Sequence, residues 1–154
     1  RRHCHSPLFL IGDLMAHFAE VANEDSHVIR VVVIADDEIA DARFANGLSE
    51  AKGIARCLEI WPDTGDSTWV QTFKYDEDRT RKHFAGPGMF WDEANDGFYF
   101  GKPYASWVYH SDRCQWGPPT PKPVTTTTVG EGEEAVEVAD DYDWDEETTA
   151  WIKR

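Results

Sequence analysis

The sequence predicts a β-rich α+β fold: an N-terminal β-hairpin, one or two short helices, and then aromatic β-hairpins joined by proline-rich connectors. Three observations predict it. Segments near the N-terminus alternate polar and apolar residues or are rich in β-branched ones, as strands are. A later segment has the apolar spacing of a helix. Farther on, aromatic residues recur in pairs seven positions apart, with prolines between the pairs.

The composition indicates one modest domain with tails, because 154 residues fit the usual size of a single domain. Seven Trp, eight Phe and five Tyr residues must supply much of the core or of a binding face. The formal net charge of -14 would repel a phosphate backbone, so we expect no nucleic-acid partner. No apolar run approaches the roughly 20 residues of a membrane span, so we expect no membrane association.

Changes in composition divide the chain into four segments. Residues 1–14 are expected to be a leader or a cloning remnant, since regular alternation begins only at Met15. Residues 15–123 are expected to form the β-rich domain. Residues 124–141 are threonine-rich and then acidic, without aromatic residues, which predicts a mobile linker. Residues 142–154 are expected to form a C-terminal hairpin.

Two pairs of strands are predicted before the aromatic repeats. Residues 17–22 alternate and residues 28–34 are β-branched, which predicts a hairpin with a buried second strand. Residues 68–75 combine β-branched and aromatic side chains, and residues 79–84 are expected to return as their partner strand. Two glycines and a proline in 85–89 must then interrupt regular structure.

Two helices are predicted between these strand pairs. Residues 36–44 begin with acidic residues, which favour a helix start. Ser49 is expected to cap a second helix, whose apolar face would consist of Ala51, Ile54, Ala55 and Leu58. Cys57 lies on the apolar side of that helix and is expected to be a buried structural thiol, as is Cys114. Three widely spaced cysteines are typical neither of a disulfide framework nor of paired zinc ligands.

The most informative internal feature is an eight-residue repeat, which occurs at 91–98, 109–116 and 144–151. Each copy begins and ends with an aromatic residue and has a polar, Asp-bearing stretch between them. This pattern predicts a tight hairpin whose two rings meet across the strands, a contact that contributes about 0.5–1 kcal/mol. Residues 101–106 and 117–123 are expected to be extended, proline-stiffened connectors.

Aromatic residues of these hairpins and connectors form the candidate binding face, and two interpretations of it stay open. Buried rings would make the core of a structural module, which is the commoner fate of tryptophan in small β proteins. Flat exposed rings could instead stack on sugars. The candidate residues are Tyr104, Trp107, Trp116, Trp144 and Trp151.

No motif predicts catalysis, a metal site or a cofactor. Residues 91–97 faintly resemble a calcium loop, but Ala94 and Pro103 stand where oxygen ligands are needed. Residues 3–5 contain two histidines and a cysteine, but they fall in the expected leader. The carboxylates of 140–147 form a solvated acidic run rather than the fixed pair of a glycosidase. We therefore expect no enzymatic activity.

From Met15 onward, several blocks together resemble a family of small proteins of marine tailed phages, of the cyanophage and pelagiphage type. The resemblance implies a virion-associated or assembly role, and it carries over no catalytic residue. The blocks are MAHFA at 15–19, SEAKGIARC at 49–57, WVQT at 69–72, RKHFAG at 81–86, FWD at 90–92, DGFYF at 96–100, KPYASW at 102–107, CQW at 114–116 and WDEETTAW at 144–151.

These observations lead to one expected function and two alternatives. The expected function is that of a non-enzymatic bacteriophage structural or assembly protein, either a head-decoration or a tail-associated component, made in the host cytoplasm and carried in the virion. Its expected partners are other virion proteins, and a second copy of the chain is a further candidate. The alternatives are a glycan-binding adhesion module for host-surface recognition and an acidic inhibitor of a host protein.

Overall fold

The computed structural model of the chain describes residues 15–63, 65–75 and 80–154. The described residues form eleven β-strands, one α-helix and two 3-10 turns, which confirms the predicted β-rich α+β fold. The leader expected at residues 1–14 lies outside the described residues.

The described residues fall into two compact units. Unit 1 comprises those up to Gly101 together with Ser111–Cys114, and unit 2 comprises Lys102–His110 and Gln115–Arg154.

Unit 1 is built on a three-stranded antiparallel sheet in the order β2-β1-β3. β1 spans Met15–Ala22, β2 spans Val28–Ala35 and β3 spans Ser67–Thr72. The predicted N-terminal hairpin is thus confirmed. β1 lies in the centre of the sheet, and five of its last six residues are buried.

The prediction that residues 28–34 are buried is wrong for most of β2. Only Val28 and Ile34 are buried in this strand, whereas Ile29 and Val33 are 42% and 48% exposed. β2 is an edge strand, and side chains alternate between the two faces of a sheet, so one of its faces meets solvent.

The helix α1 spans Glu50–Ile60, and the predicted cap is confirmed because Ser49 Oγ accepts a hydrogen bond from the backbone N–H of Lys52 at 3.2 Å. The predicted apolar face is wrong in part: Ile54 is partly buried against the core as predicted, but the other three residues of that face are exposed. Gly53 and Cys57 are the buried residues, and Leu58 is 47% exposed.

Glycine explains the true face of α1. A Cβ atom at Gly53 would lie 1.9 Å from the Phe18 ring, so the absence of a side chain lets the helix backbone approach that fully buried ring. Apolar spacing alone cannot locate such a face, because a glycine contributes nothing to the apolar pattern although it marks the closest contact.

Three other predicted elements differ in the structure. The helix expected over 36–44 is only a 3-10 turn at Asp36–Glu38, followed by turns that a bridge between Ala40 and Leu48 closes. β3 ends at Thr72. The expected partner strand is absent from 80–84, the part of it that the structure describes, because Arg81 and Lys82 adopt positive φ angles of 59° and 66°.

Two clusters of buried side chains form the core of unit 1, and they lie on opposite faces of its sheet. Phe18, Ile34, Cys57 and Trp69 belong to the cluster beneath α1. The other cluster packs Ala19, Val21, Val28, Val70, Ala85, Met89 and Phe98. A buried carboxylate, Glu20, is paired with Arg30 at 2.8 Å.

The remaining strands form four two-stranded antiparallel hairpins. The first, in unit 1, pairs β4 with β5. The other three, in unit 2, pair β6 with β7, β8 with β9, and β10 with β11. Their bounds are Phe90–Asp92 for β4, Gly97–Tyr99 for β5, Val108–His110 for β6, Gln115–Gly117 for β7, Thr126–Val129 for β8, Val136–Ala139 for β9, Tyr142–Asp145 for β10 and Ala150–Lys153 for β11.

The segment expected to be a linker contains regular structure, since β8 and β9 lie within residues 124–141. Threonine and valine supply the β-branched side chains that favour strands. The hydroxyl groups of Thr126 and Thr128 donate hydrogen bonds across the pair to Glu137. Glu137, one of the acidic residues that predicted a linker, therefore accepts hydrogen bonds across the strand pair.

Candidate functional site

The three copies of the eight-residue repeat form hairpins in which the terminal aromatic residues face each other. The ring centroids of the three pairs are 4.7, 5.1 and 5.3 Å apart. The predicted ring-to-ring contact is confirmed in every copy. The cross-strand partners are Trp91 and Phe98, Tyr109 and Trp116, and Trp144 and Trp151.

The three hairpins share one turn geometry. A four-residue loop separates the strands, and its last residue adopts the left-handed conformation: Asp96 at φ 50°, Cys114 at φ 47° and Thr149 at φ 49°. Loops of this length are usually built on a type I turn. The repeat therefore specifies a backbone path as well as an aromatic pair.

Side chains close two of these turns as expected. Asp92 Oδ1 accepts a hydrogen bond from the backbone N–H of Asn95 at 3.2 Å, and Asp145 Oδ2 accepts one from the hydroxyl of Thr148 at 2.5 Å. Asn95 also donates its side-chain amide to Asp92 at 2.7 Å. Ordinary turn chemistry thus accounts for the segment with a faint likeness to a calcium loop.

Four of the five candidate aromatic residues come together in unit 2, and we call Tyr104, Trp107, Trp144 and Trp151 the aromatic cluster. The rings of Tyr104 and Trp107 are 5.3 Å apart, and those of Trp107 and Trp144 are 6.2 Å apart and nearly perpendicular. The fifth candidate, Trp116, instead contacts Tyr109, and the Lys102 ammonium lies 5.1 Å from its ring centre.

Polar groups hold the rings of the aromatic cluster in place. Glu146 accepts hydrogen bonds from Trp144 Nε1 at 2.8 Å and from the Ser106 backbone N–H and hydroxyl at 2.9 and 2.6 Å. The bonds from Ser106 and then from Trp144 lower the pKa of Glu146. Trp151 Nε1 donates to the carbonyl of Thr120 at 2.8 Å. Sequence reasoning missed Ser106 and Glu146, which lie 40 residues apart and form no motif.

This geometry favours the structural interpretation of the cluster. Trp107–Trp144 and Trp144–Trp151 are edge-to-face pairs, so the edge of one ring covers the face of the next. A sugar that stacks on tryptophan needs an uncovered face. Two of the three indole N–H groups also already have internal acceptors.

The β8–β9 hairpin is the most exposed of the described hairpins, because every residue of both its strands is exposed. Val129, Val136 and Val138 are 53%, 57% and 47% exposed. The register pairs Thr127 with Val138 and Val129 with Val136, so these four side chains share one face. Sequence reasoning missed this face because it took the segment for a linker.

The thiols that sequence analysis singled out are packing residues. Cys57 and Cys114 are both fully buried. Burial raises the pKa of Cys57 to about 11, which leaves little of the nucleophilic thiolate at neutral pH. Cys114 packs beside Gly97, where a Cβ atom would lie 2.4 Å from its sulfur.

Unit 1 has a surface cleft of about 590 Å³ lined in part by His17, Asp36 and Gln71. Burial and the neighbouring Asp37 raise the pKa of Asp36, whose buried Oδ1 has no hydrogen-bond partner. Burial lowers the pKa of His17. Neither a serine nor a cysteine is among the described residues that line this cleft, so it places no such nucleophile beside these groups.

Within residues 15–63, 65–75 and 80–154, no group of three or more His, Cys, Asp or Glu side chains is arranged to hold a metal ion. None of the helices described there is long and apolar enough to cross a membrane. No family model, curated protein or solved structure matches the chain. The resemblance to marine phage proteins therefore stays a prediction from the sequence.

Proposed function

We propose that this protein is a non-enzymatic structural or assembly component of a tailed bacteriophage that acts through protein–protein contacts, as a head-decoration or tail-associated protein. The observation that carries the proposal is the large exposed apolar surface of unit 2, which buries almost none of its residues. Gly117 is its one buried residue, while large apolar side chains such as Val108, Val124 and Ile152 are 51%, 97% and 49% exposed.

An exposed apolar surface of this kind is typical of a protein that is covered by a partner. Unit 2 presents it on three hairpins and on connectors whose prolines limit the backbone freedom lost on binding. The resemblance to virion-associated phage proteins supports the same role. Other virion proteins are accordingly the proposed partners, and the virion is the proposed location.

The glycan-binding alternative receives less support. The rings of the aromatic cluster are arranged edge to face, and Trp144 and Trp151 donate their indole N–H groups within unit 2. The acidic-inhibitor alternative rests on net charge alone, and that charge is equally compatible with the other two functions. The glycan-binding alternative remains an outcome of the experiment below.

Mass spectrometry of purified virions of the source phage tests the proposal directly. We expect peptides of this chain at a constant ratio to the major structural proteins. Replacing Trp151 with Ala should loosen the last hairpin by about 1 kcal/mol and reduce incorporation into particles, because the variant loses a cross-strand ring pair. Trp151→Phe should largely restore incorporation.

The matched control is Tyr75→Ala, which removes a ring that is 63% exposed in unit 1 and should leave incorporation unchanged. Glycan arrays probed with the wild-type protein should show no binding. Absence of the protein from purified virions would contradict the proposal. Normal incorporation of Trp151→Ala together with loss of binding to a host-surface polysaccharide would favour the adhesion module instead.

A further inference from the structure

The two faces of the β8–β9 hairpin differ sharply in polarity. Thr127, Val129, Val136 and Val138 form one face, which we call the valine face. On the opposite face, the hydroxyls of Thr126 and Thr128 donate to Glu137 and lower its pKa. The polar face is therefore satisfied within the hairpin, whereas the valine face has three aliphatic side chains that are about half exposed.

Hydrogen bonds fix the base of this hairpin, so the valine face is presented by an ordered element. Asp140 accepts from the hydroxyls of Thr125 and Thr127, both at 2.5 Å, and its carboxylate lies 3.2 Å from Lys153 Nζ. Lys153 also donates to Thr127 Oγ1 at 3.1 Å. An ordered element loses less conformational entropy on binding than a flexible tail does.

Charge identifies the kind of partner that fits this face. Residues 124–139 carry four carboxylates and no lysine or arginine, and all four carboxylates are exposed. Glu131, Glu133 and Glu134 lie in the loop at the end of the valine face, and Glu137 lies in β9. A second copy would bring the same carboxylates and a net charge of -14, which opposes self-association.

We propose that the valine face docks into an apolar groove of a partner protein whose rim carries lysine or arginine side chains. The inference deepens the proposed function, on which it rests, by naming the chemistry of the partner. Burial of the valines supplies affinity, and the carboxylates supply orientation and a fast, salt-dependent encounter. Dissolved ions screen exposed charges, so the contribution of the carboxylates to binding falls as ionic strength rises.

Isothermal titration calorimetry of the full chain with synthetic peptides tests the chemistry without a known partner. The probe is an amphipathic leucine–lysine peptide, whose apolar stripe is bordered by ammonium groups. One control peptide has glutamate in place of lysine, and the other has serine in place of leucine. We expect binding of the leucine–lysine peptide, with NMR shift changes centred on residues 126–139, and binding at least about tenfold weaker for both controls.

Two sets of variants separate the apolar from the charged contribution. Combining Val129→Thr, Val136→Thr and Val138→Thr keeps the branched shape that favours strands, and it should weaken peptide binding about tenfold. Val33→Thr is the matched control, because Val33 is 48% exposed in a strand of unit 1, outside the hairpin, and it should have no effect. NMR spectra of the triple variant confirm that the hairpin is retained.

The charge set combines Glu131→Gln, Glu133→Gln and Glu134→Gln, and it should reduce the salt dependence of binding. Its control changes net charge equally in unit 1, by Glu24→Gln, Asp63→Asn and Asp112→Asn, and should leave that dependence in place. Unchanged peptide binding by the valine triple variant, or equal binding of the leucine–glutamate peptide, would overturn the inference.

Incorporation of the valine triple variant into virions distinguishes this inference from the proposed function. A wild-type chain found in particles together with normal incorporation of the triple variant would overturn the docking surface and leave the function standing. A chain absent from particles that still binds the leucine–lysine peptide through 126–139 would overturn the function and leave the surface standing.

Discussion

Unit 1 and unit 2 use the same hairpin in opposite surroundings. In unit 1 the Trp91–Phe98 hairpin packs into a core, and Phe98 is 0% exposed. In unit 2 the Trp144–Trp151 hairpin is covered mainly by other aromatic rings, and both residues stay partly exposed. The eight-residue repeat therefore forms the same local hairpin in both units, and its burial depends on what packs against it.

The difference has an energetic consequence. Full burial of a large apolar side chain contributes about 1.5–3 kcal/mol, whereas a cross-strand pair contributes about 0.2–1 kcal/mol. A single two-stranded hairpin is at best marginally stable in water. Unit 2 therefore depends on many small contributions, and unit 1 on a few large ones.

The largest expected effect is that of Phe18→Ala in unit 1. Phe18 is fully buried under α1, so its removal should destabilise the protein by about 3–5 kcal/mol. Phe44→Ala removes the same side chain where it is 49% exposed, and it should have an effect below about 1 kcal/mol. Urea unfolding followed by residue-resolved NMR checks both. Equal effects of the two variants would mean that unit 1 has no dominant core.

Next in size is Gly53→Ala. In an ordinary helix position this change is stabilising by about 1 kcal/mol, but here the new methyl group would overlap the Phe18 ring. We expect a net loss of about 1–3 kcal/mol in the same unfolding measurement. Combined with Phe18→Leu, Gly53→Ala should cost less than in the wild-type background. A strictly additive double variant would contradict the close approach of α1 to β1.

A smaller effect, of opposite sign, is expected from Thr149→Gly in unit 2. Thr149 adopts φ 49°, a conformation that is unfavourable for a β-branched residue and free of strain for glycine. We expect local stabilisation of the last hairpin by about 0.5–1 kcal/mol, measured by amide hydrogen exchange. Thr148→Gly, at a neighbouring position without positive φ, should instead destabilise the hairpin. Destabilisation by both variants would argue against the shared turn geometry.

The smallest effects concern pH and have opposite signs in the two units. The pKa of Glu146 is lowered below its ordinary value of 4.5, so this carboxylate stabilises unit 2 above that pH and the stabilisation is lost as pH falls through its folded pKa. The pKa of Asp36 is raised above 3.8, so unit 1 loses stability as pH rises from there through the folded value.

Two neutral variants check these signs. At neutral pH, Glu146→Gln should destabilise unit 2, because the variant lacks the charged carboxylate that the folded state favours. The stability of unit 2 should also fall less steeply as the pH is lowered. Asp36→Asn should stabilise unit 1 at neutral pH and leave it unchanged in acid. Residue-resolved exchange at several pH values measures both, and a loss of stability on Asp36→Asn would show that the ionised carboxylate has a favourable partner.

Local sequence patterns predicted the turns and the aromatic pairs, but they failed where contacts between residues far apart in the chain determine the packing. The N-cap at Ser49 and the three aromatic pairs could be predicted, because their partners lie within seven positions. The face of α1 could not, since Gly53 contacts a ring 35 positions earlier in the chain. The Ser106–Glu146 contact of the aromatic cluster spans 40 positions, and local sequence patterns could not predict it either.

By itself, the sequence determined the elements that local physics controls: the N-terminal hairpin, the start of the helix and the turns of the aromatic repeats. Only the tertiary structure decided which residues those elements bury, and it ordered 126–139 as an exposed hairpin through Thr–Glu contacts and the Lys153–Asp140 pair at its base. The physical reason is that turns, caps and strand preferences act over a few residues, whereas burial depends on which distant segments pack together.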